Sequence, residues 1–594
     1  MNDSKDDAAS ESASDVSHRS DRLRVRLWPA AVILLIQAVV YALSITSGIN
    51  NGVRFGFMML GPAVGVLLFT GWLLFASRLP WKQRLLIAAM MIALPAGVSP
   101  LVDSSLKLGL LLYGSPLSML LAVAVLMATG EATVRRRFLT VGVGLVGLWS
   151  VFPLGRLDGF QGSYLPELDW RWSPTAEERL IVVPSVPASD TESDWQPDRA
   201  AWPGFRGPGR DGRAAWKGDR LEWSSEAPQE RWRIPIGPGW SSFAHVSGRL
   251  FTQEQRGDDE AVSCYDAESG SLIWMCTNQT RFTELVSGAG PRATPTFANG
   301  RLYAMGGTGL LLCLDPANGE VLWKHDLPVE MNAPVPMWGF SSSPLVANDR
   351  VIVHAGADGD GDDDDDDDGL VAFDAQTGKQ AWGVASPSKG MSYSSAQSIR
   401  LQGQDLIVFG DSDGLFAIEP VDGEIAWKYR PVGWSGPAMC QPRKVDSNAL
   451  IVPLGDGVGL ARVQVELDEQ GKWQFREDWS NNRLKPSFND FVIHREHVYG
   501  FDQNIFVSLN AATGQRNWKR GRYGFGQVVL LPETDQMIVV TEQEGDLVLL
   551  AADPERHIES ARIPALSGKT WNHPILVDGL LFVRNGEFAV CFEL

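Results

Sequence analysis

The sequence predicts an all-β eight-bladed β-propeller preceded by an α-helical membrane domain of about five transmembrane helices. Three observations lead there. Long apolar segments are confined to roughly the first quarter of the chain, basic residues alternate cleanly between the loops that join them, and an acid–Gly–Trp repeat runs through the remainder.

The first 26 residues read as a disordered cytoplasmic tail, because Ser, Asp and Ala leave little to bury. Apolar stretches follow at 27–46, 55–76, 85–102, 108–128 and 138–154. Each is about 17–22 residues long, near the 20 or so that cross a bilayer as a helix. The third is the weakest, since Pro95 and Pro100 interrupt its end. Four further apolar segments after the first argue against a cleavable signal peptide.

Basic residues set the orientation. Arg22, Arg24 and Arg26 precede the first helix, Arg78, Lys82 and Arg84 lie between the second and third, and Arg135, Arg136 and Arg137 precede the fifth. The alternate loops carry only Arg54 and Lys107. Loops rich in Lys and Arg stay in the cytoplasm, so the N-terminus is expected there. An odd number of crossings then makes this a multi-pass inner-membrane protein with a periplasmic or extracytoplasmic propeller. No charge falls in the core of the helices, which reads as anchorage in the lipid bilayer rather than a transport pathway. The expected division is a tail (1–26), a five-helix domain (27–156), a Pro- and acid-rich linker (157–200) and the propeller (201–594).

A formal charge of −19 excludes an ordinary nucleic-acid binder, which needs a basic face for phosphates. The five cysteines form no Cys-x-x-Cys pair, so no zinc or redox motif is visible. Cys264, Cys313 and Cys591 take the same place in three copies of one strand and read as small core residues.

The repeat is an acid or Asn, then Gly four residues on, then Trp four further. It occurs as Asp266/Gly270/Trp274, Asp315/Gly319/Trp323, Asp374/Gly378/Trp382, Glu419/Gly423/Trp427 and Asn510/Gly514/Trp518. The acid can hydrogen-bond the turn it starts, Gly allows a positive φ, and Trp returns on the next strand with a large face to bury. Apolar strands precede each acid, so a unit is four short antiparallel strands, the size of one propeller blade. Innermost strands are expected to start near Ser242, Thr294, Ser343, Ser395, Gln441, Asn489, Gln527 and His573, which makes eight. The seventh copy is degraded, with His557 at the Gly position and Ala561 at the Trp position, and the fifth lengthens its turn before Trp479. The chain stops one strand short of an eighth blade, and the spare strand Glu230–Ile234 is expected to pair with Phe588–Phe592 and remove the open edge.

The pattern Leu-Tyr-Ala…Leu-Asp-x-x-x-Gly-x-x-x-Trp resembles the PQQ-like repeat of quinoprotein dehydrogenases and of BamB-like propellers that aid outer-membrane protein assembly. The opening segment Trp202-Pro203-Gly204-Phe205-Arg206-Gly207-Pro208, with Arg210-Asp211-Gly212, resembles that of bacterial members of this group. The resemblance implies that linkers feeding the innermost strands hold ligands. Those linkers contain Trp240, Arg292, Trp338, Tyr393, Lys485, Asn489, Trp571 and His573, a set suited to a small flat or anionic ligand.

The resemblance also implies a possible quinoprotein chemistry, with Asp490 as the base, Asn489 as a calcium ligand, and Arg292 and Lys485 as partners of PQQ. The adjacent-Cys disulfide and the long inserts of such enzymes are missing from this sequence. Asp358, Asp360 and the run Asp362–Asp368 have no EF-hand spacing; seven adjacent like charges repel and read as a solvated insertion. The favoured expectation is a binding or assembly platform with a cell-envelope protein partner. The alternative is a PQQ-dependent membrane dehydrogenase of alcohols or sugars, resembling membrane glucose dehydrogenase.

The orientation is directly testable. In a background lacking the native cysteines, Ser225→Cys is expected to react with an impermeant thiol reagent in intact spheroplasts, and Gln83→Cys to stay unlabelled. Equal behaviour of the two positions would refute the inside/outside assignment.

Overall fold

A computed structural model describes residues 25–46, 49, 51–129, 134–180, 195, 197, 199–331, 334–355, 368–385 and 392–594. The N-terminal tail through residue 24 and the acidic insertion, apart from the backbone of Asp368, lie outside the described residues. The chain divides into two compact units: a helical one that ends at Ser173, and a propeller formed by Pro174–Leu594 together with Gln161–Ser163.

The helical unit holds five helices long and apolar enough to cross a membrane: Trp28–Ile45, Asn51–Ala76, Trp81–Leu101, Ser104–Ala128 and Arg135–Leu154. Leu67, Phe75, Ile92 and Val143 point outward, each more than two thirds exposed, which only a lipid solvent would favour. The fourth helix packs on the first, second and fifth, and the third on the fifth. Pro95 does not end the third helix, which continues to Val98; Pro100 sits in the 3₁₀ turn Ser99–Leu101 that follows. Arg54 is buried and donates to the Ser44 carbonyl at 2.9 Å and to Asn51 Oδ1 at 3.0 Å. After the last helix, Gly155–Phe160 and Pro166–Trp170 pair as an antiparallel hairpin.

The propeller is eight four-stranded antiparallel sheets. Seven are built from consecutive strands, starting with Ala244–Val246, Arg249–Arg256, Asp259–Asp266 and Leu272–Asn278 in blade 1. Blade 8 joins strands from before blade 1 and after blade 7: Gln229–Pro235 is the outer strand against Phe588–Glu593, running from Gln229 opposite Glu593 to Pro235 opposite Phe588 with a shift of register between Glu230 and Trp232. Closing the ring this way leaves no open sheet between first and last blade.

The repeat residues join neighbouring blades. The Trp of one blade lies on the turn of the next: Trp232 on Gly270, Trp274 on Gly319, Trp323 on Gly378, Trp382 on Gly423 and Trp479 on Gly514. A Cβ on any of these glycines would fall 2.5–2.9 Å from the side chain that packs there, and all five have positive φ. Each indole N–H also donates to the carbonyl of the residue after the turn's first residue, as Trp274 does to Pro316 at 3.0 Å and Trp232 to Ala267 at 3.0 Å. Glycine is therefore required twice, for its backbone and for the missing side chain.

The degraded copies follow from the same contact. Blade 8 takes its outer strand from Gln229–Pro235 rather than through a turn after its third strand, so blade 7 has no such glycine turn to cover and carries Ala561. At the seventh turn His557 replaces Gly, and Trp518 meets it edge-on at 5.3 Å while still donating to the Asp553 carbonyl at 3.0 Å. Blade 5 extends Leu460–Leu467 and Trp473–Asn481 into a long hairpin, and Trp427 of blade 4 packs edge-on against Phe475 at 5.2 Å instead. Its indole nitrogen has no hydrogen-bond partner among the described residues. Cys264, Cys313 and Cys591 are fully buried in third strands.

Two glycines of blade 2 separate the effects. Gly300 and Gly319 have nearly equal φ, 75° and 77°, but nothing lies within 4 Å of a Cβ at Gly300. Gly300→Ala is expected to cost about 1–2 kcal/mol in chemical denaturation, from backbone strain alone. Gly319→Ala is expected to cost roughly 1–3 kcal/mol more, from overpacking against Trp274. Equal losses would show that the indole contact is not what the glycine serves.

Candidate functional site

Two ends of the propeller channel can be told apart. The linkers from each fourth strand to the next first strand gather at one end, here called the mouth. The turns between first and second strands gather at the other, here called the floor.

Hydroxyls at the starts of the first strands tie neighbouring blades together. The N–H groups of Ser242, Thr294 and Ser343 donate to the side-chain oxygens of Thr294, Ser343 and Ser395, each at 2.9 Å. Ser242 Oγ donates to the His573 carbonyl at 2.6 Å, carrying the chain from blade 1 to blade 8. These groups satisfy inner edges of blades that have no neighbouring strand.

From the floor end the segment 202–214 enters the channel as a plug. Trp202 exchanges backbone hydrogen bonds with His245 of blade 1, and Pro203 accepts from Phe297 of blade 2 at 2.7 Å. Gly212 and Ala214 bracket Leu530 of blade 7, both bonds at 2.8 Å. Arg210 donates to the Ser343 and Pro344 carbonyls of blade 3 at 3.0 and 2.9 Å. Arg206 donates to the Phe491 carbonyl of blade 6 at 2.9 Å, and Phe205 meets His573 of blade 8 edge-on at 5.1 Å. Arg443 of blade 5 donates to the Arg210 carbonyl. Arg206 and Arg210 both adopt left-handed backbone, with φ 59° and 51°, a strain that persists only where surrounding contacts hold it.

The residues singled out from sequence fall into separate groups. Trp240 and Trp571 meet at the mouth with centroids 4.9 Å apart, beside Phe488 at 4.5 Å from Trp571. Lys569 Nζ lies 5.4 and 4.8 Å from the Trp240 and Trp571 rings, within cation–π range. Trp571 Nε1 donates to Glu542 at 3.0 Å, a buried carboxylate that also accepts from Gly162 and Phe525 N–H; burial pushes its pKa up. Trp338 and Tyr393 form a second aromatic pair at 5.0 Å, with burial raising the Tyr393 phenol to about 12.

The cations proposed for a quinone are held within the protein. Arg292 donates to Ser287 Oγ at 2.7 Å and to the Gly288 carbonyl at 3.0 Å, pairs with Glu284 at 3.4 Å, and lies 4.4 Å over Phe282. Burial lowers its pKa to about 10. Lys485 Nζ pairs with the buried Asp502 at 2.5 Å, and Lys519 pairs with the same carboxylate. Asn489 is fully buried, and its Oδ1 accepts from Ser487 N–H at 3.1 Å.

Asp490 sits in the channel, 2.9 Å from Arg206 Nη1 and 3.6 Å from Arg443 Nη2. Burial, together with the charges of Arg206 and Arg443, holds His573 neutral, its pKa lowered to about 3. Among the described residues no cluster of three or more His, Cys, Asp or Glu could hold a metal ion. Arg206 was visible in the opening segment but not its role, since the partner lies 284 positions away in sequence, at Asp490. The signal was the density of Gly and Arg in 204–213, which suits a tight backbone path lined with charge.

Comparisons with known proteins agree with this architecture. The family described as outer membrane protein assembly factor BamB matches residues 258–520. The propeller is built of PQQ-like repeats. The outer membrane protein assembly factor BamB of Shewanella oneidensis is 25% identical over 381 residues, 61% of this chain and 88% of that protein. The quinohemoprotein alcohol dehydrogenase ADH IIB of Pseudomonas putida is 25% identical over 203 residues, 31% of this chain but 26% of that enzyme. The crystal structure of BamB from Moraxella catarrhalis covers 62% of this chain and 98% of its own, at 15% identity and a TM-score of 0.41, too loose a likeness to bear on function.

The buried pair gives a measurable contrast. Asp490→Asn, which leaves Arg206 and Arg443 without their carboxylate, is expected to cost about 3–5 kcal/mol of propeller stability in urea. Asp578→Asn breaks the exposed Arg199–Asp578 pair at 2.7 Å and is expected to cost under about 1 kcal/mol. Comparable losses would mean that the channel charges are solvated.

Proposed function

We propose that this chain is a membrane-anchored propeller that works as a binding or assembly platform for a cell-envelope protein. The division into tail, five-helix anchor, linker and propeller at 26, 156 and 200, with the N-terminus in the cytoplasm and the propeller on the periplasmic side, belongs to the same reading.

The observation that carries it is the rim of the mouth. Val329, Val335 and Met337, in the linker from blade 2 to blade 3, and Val432, in the linker from blade 4 to blade 5, are 41–77% exposed. Apolar side chains exposed on linkers at one end of a closed ring suit contact with another protein. Similarity to an outer membrane protein assembly factor across most of that protein's length supports the choice of partner class.

The second reading, a PQQ-dependent dehydrogenase, rests on partial similarity to a quinohemoprotein alcohol dehydrogenase and on the Trp240–Trp571 pair at the mouth. The residues named for its chemistry fit poorly. Arg292 and Lys485 are engaged by internal carboxylates, the Asn489 side-chain oxygen accepts from its own loop, and Asp490 is bound by two guanidiniums.

One pair of assays separates the two. The purified protein with added PQQ and calcium is expected to give no dye-linked oxidation of alcohols or sugars. Membrane extracts are expected to yield a co-purifying outer-membrane-protein assembly component, and the double substitution Met337→Asp and Val432→Asp to reduce its recovery at least tenfold. Quinone-dependent turnover abolished by Asp490→Asn would reverse the assignment.

A further inference from the structure

The channel centre carries an unbalanced buried charge. Arg206, Arg210 and Arg443 are 2%, 8% and 6% exposed, and among the described residues the carboxylate in contact with them is that of Asp490, 2% exposed. Three positive charges and one negative leave a net +2. Asp211, the next acid, is more than a third exposed and lies 4.0 Å from Arg213. His573 is neutral there and cannot compensate.

Hydrogen bonding is unbalanced in the same sense. Among the described residues, Nε of Arg206, Arg210 and Arg443, Nδ2 of Asn489 and Nε2 of Gln397 are buried donors with no acceptor. The surplus carboxylate acceptor at the cluster is Asp490 Oδ1. Buried guanidiniums are costly without an anion; the terminal nitrogens of these three are held by carbonyl, amide and carboxylate oxygens, which leaves each Nε to donate to an oxyanion oxygen. Burial and the Arg443 charge lower Arg210 to about 9, and burial and the neighbouring Arg206 lower Arg443 to about 10 even though Asp490 and Asp211 pull it upward.

We infer that the plug and blades 5 and 6 together form a binding site for a small doubly charged oxyanion of the phosphate or sulfate class, which neutralises the cluster and fastens the plug in the channel. The two plug arginines hold strained backbone that such a ligand would help to maintain. This site is formed by the plug, the first strand of blade 5 and the buried end of the linker into blade 6, and uses none of the exposed rim side chains, so it stands independently of the platform reading.

The test uses the full-length protein in detergent, dialysed free of phosphate and sulfate, with ionic strength held constant by sodium chloride. Inorganic phosphate is expected to raise the thermal midpoint of the propeller saturably, by about 3–5 °C at high occupancy. Arg443→Gln is expected to abolish the rise, while Arg213→Gln, at the edge of the plug, is expected to keep it. A protein dialysed against phosphate, desalted and then denatured is expected to release about one phosphate per chain, a readout that does not depend on any variant folding. No saturable rise in the unmutated protein beyond that of chloride, or no retained phosphate, overturns the inference. So does an unchanged rise in Arg443→Gln.

Discussion

The propeller depends on one contact: the indole of each blade lying on the glycine turn of the next. A four-stranded sheet has two faces to cover, and neighbouring blades cover them only if their spacing is held at every radius. The indole does this at the outer edge, where Trp274, for example, covers Gly319 and donates to the Pro316 carbonyl at 3.0 Å. Because Trp232 does the same from the N-terminal strand to blade 1, ring closure uses the interaction that spaces the other blades. Where the contact changes, at His557 or beside the blade 5 hairpin, an edge-on aromatic contact takes its place.

Holding the outer edge leaves a different problem at the axis. Eight first strands converge there with inner edges that have no ninth strand to pair with, and buried backbone groups must be satisfied. Two devices share the work: hydroxyls that accept from the neighbouring blade, and a plug whose backbone, arginines and Phe205 ring reach blades 1, 2, 3, 5, 6, 7 and 8. The second device brings charge into the interior. An acidic protein of formal charge −19 thus has a positive centre, which makes the channel electrostatically unlike its outer surface.

That arrangement shapes what the propeller can do. Side chains at the mouth that would bind a flat anion are split between two aromatic pairs and a set of internally paired cations. The exposed apolar side chains lie instead on the rim linkers, where a protein surface can reach them. A ring whose rim linkers are anchored by buried residues such as Leu327, Phe340 and Trp434 is a sound basis for recognition.

Much of the architecture was legible in the sequence because it is periodic. Acid, Gly and Trp recur at constant spacing, so the blade count, the strand order and the partner of Glu230–Ile234 could be read without coordinates. The apolar segments likewise marked five helices, since length and composition alone decide whether a helix can cross a bilayer. Pro95 misled only about where the third helix weakens. The site was far less legible. Proximity in sequence placed Asn489 beside Asp490 and suggested a shared role, but only the tertiary structure brought Arg206 and Arg443 to that carboxylate and turned Arg292 and Lys485 toward acids of their own. Periodic patterns are written locally, residue by residue, whereas a charge finds its partner across the ring after the chain has closed.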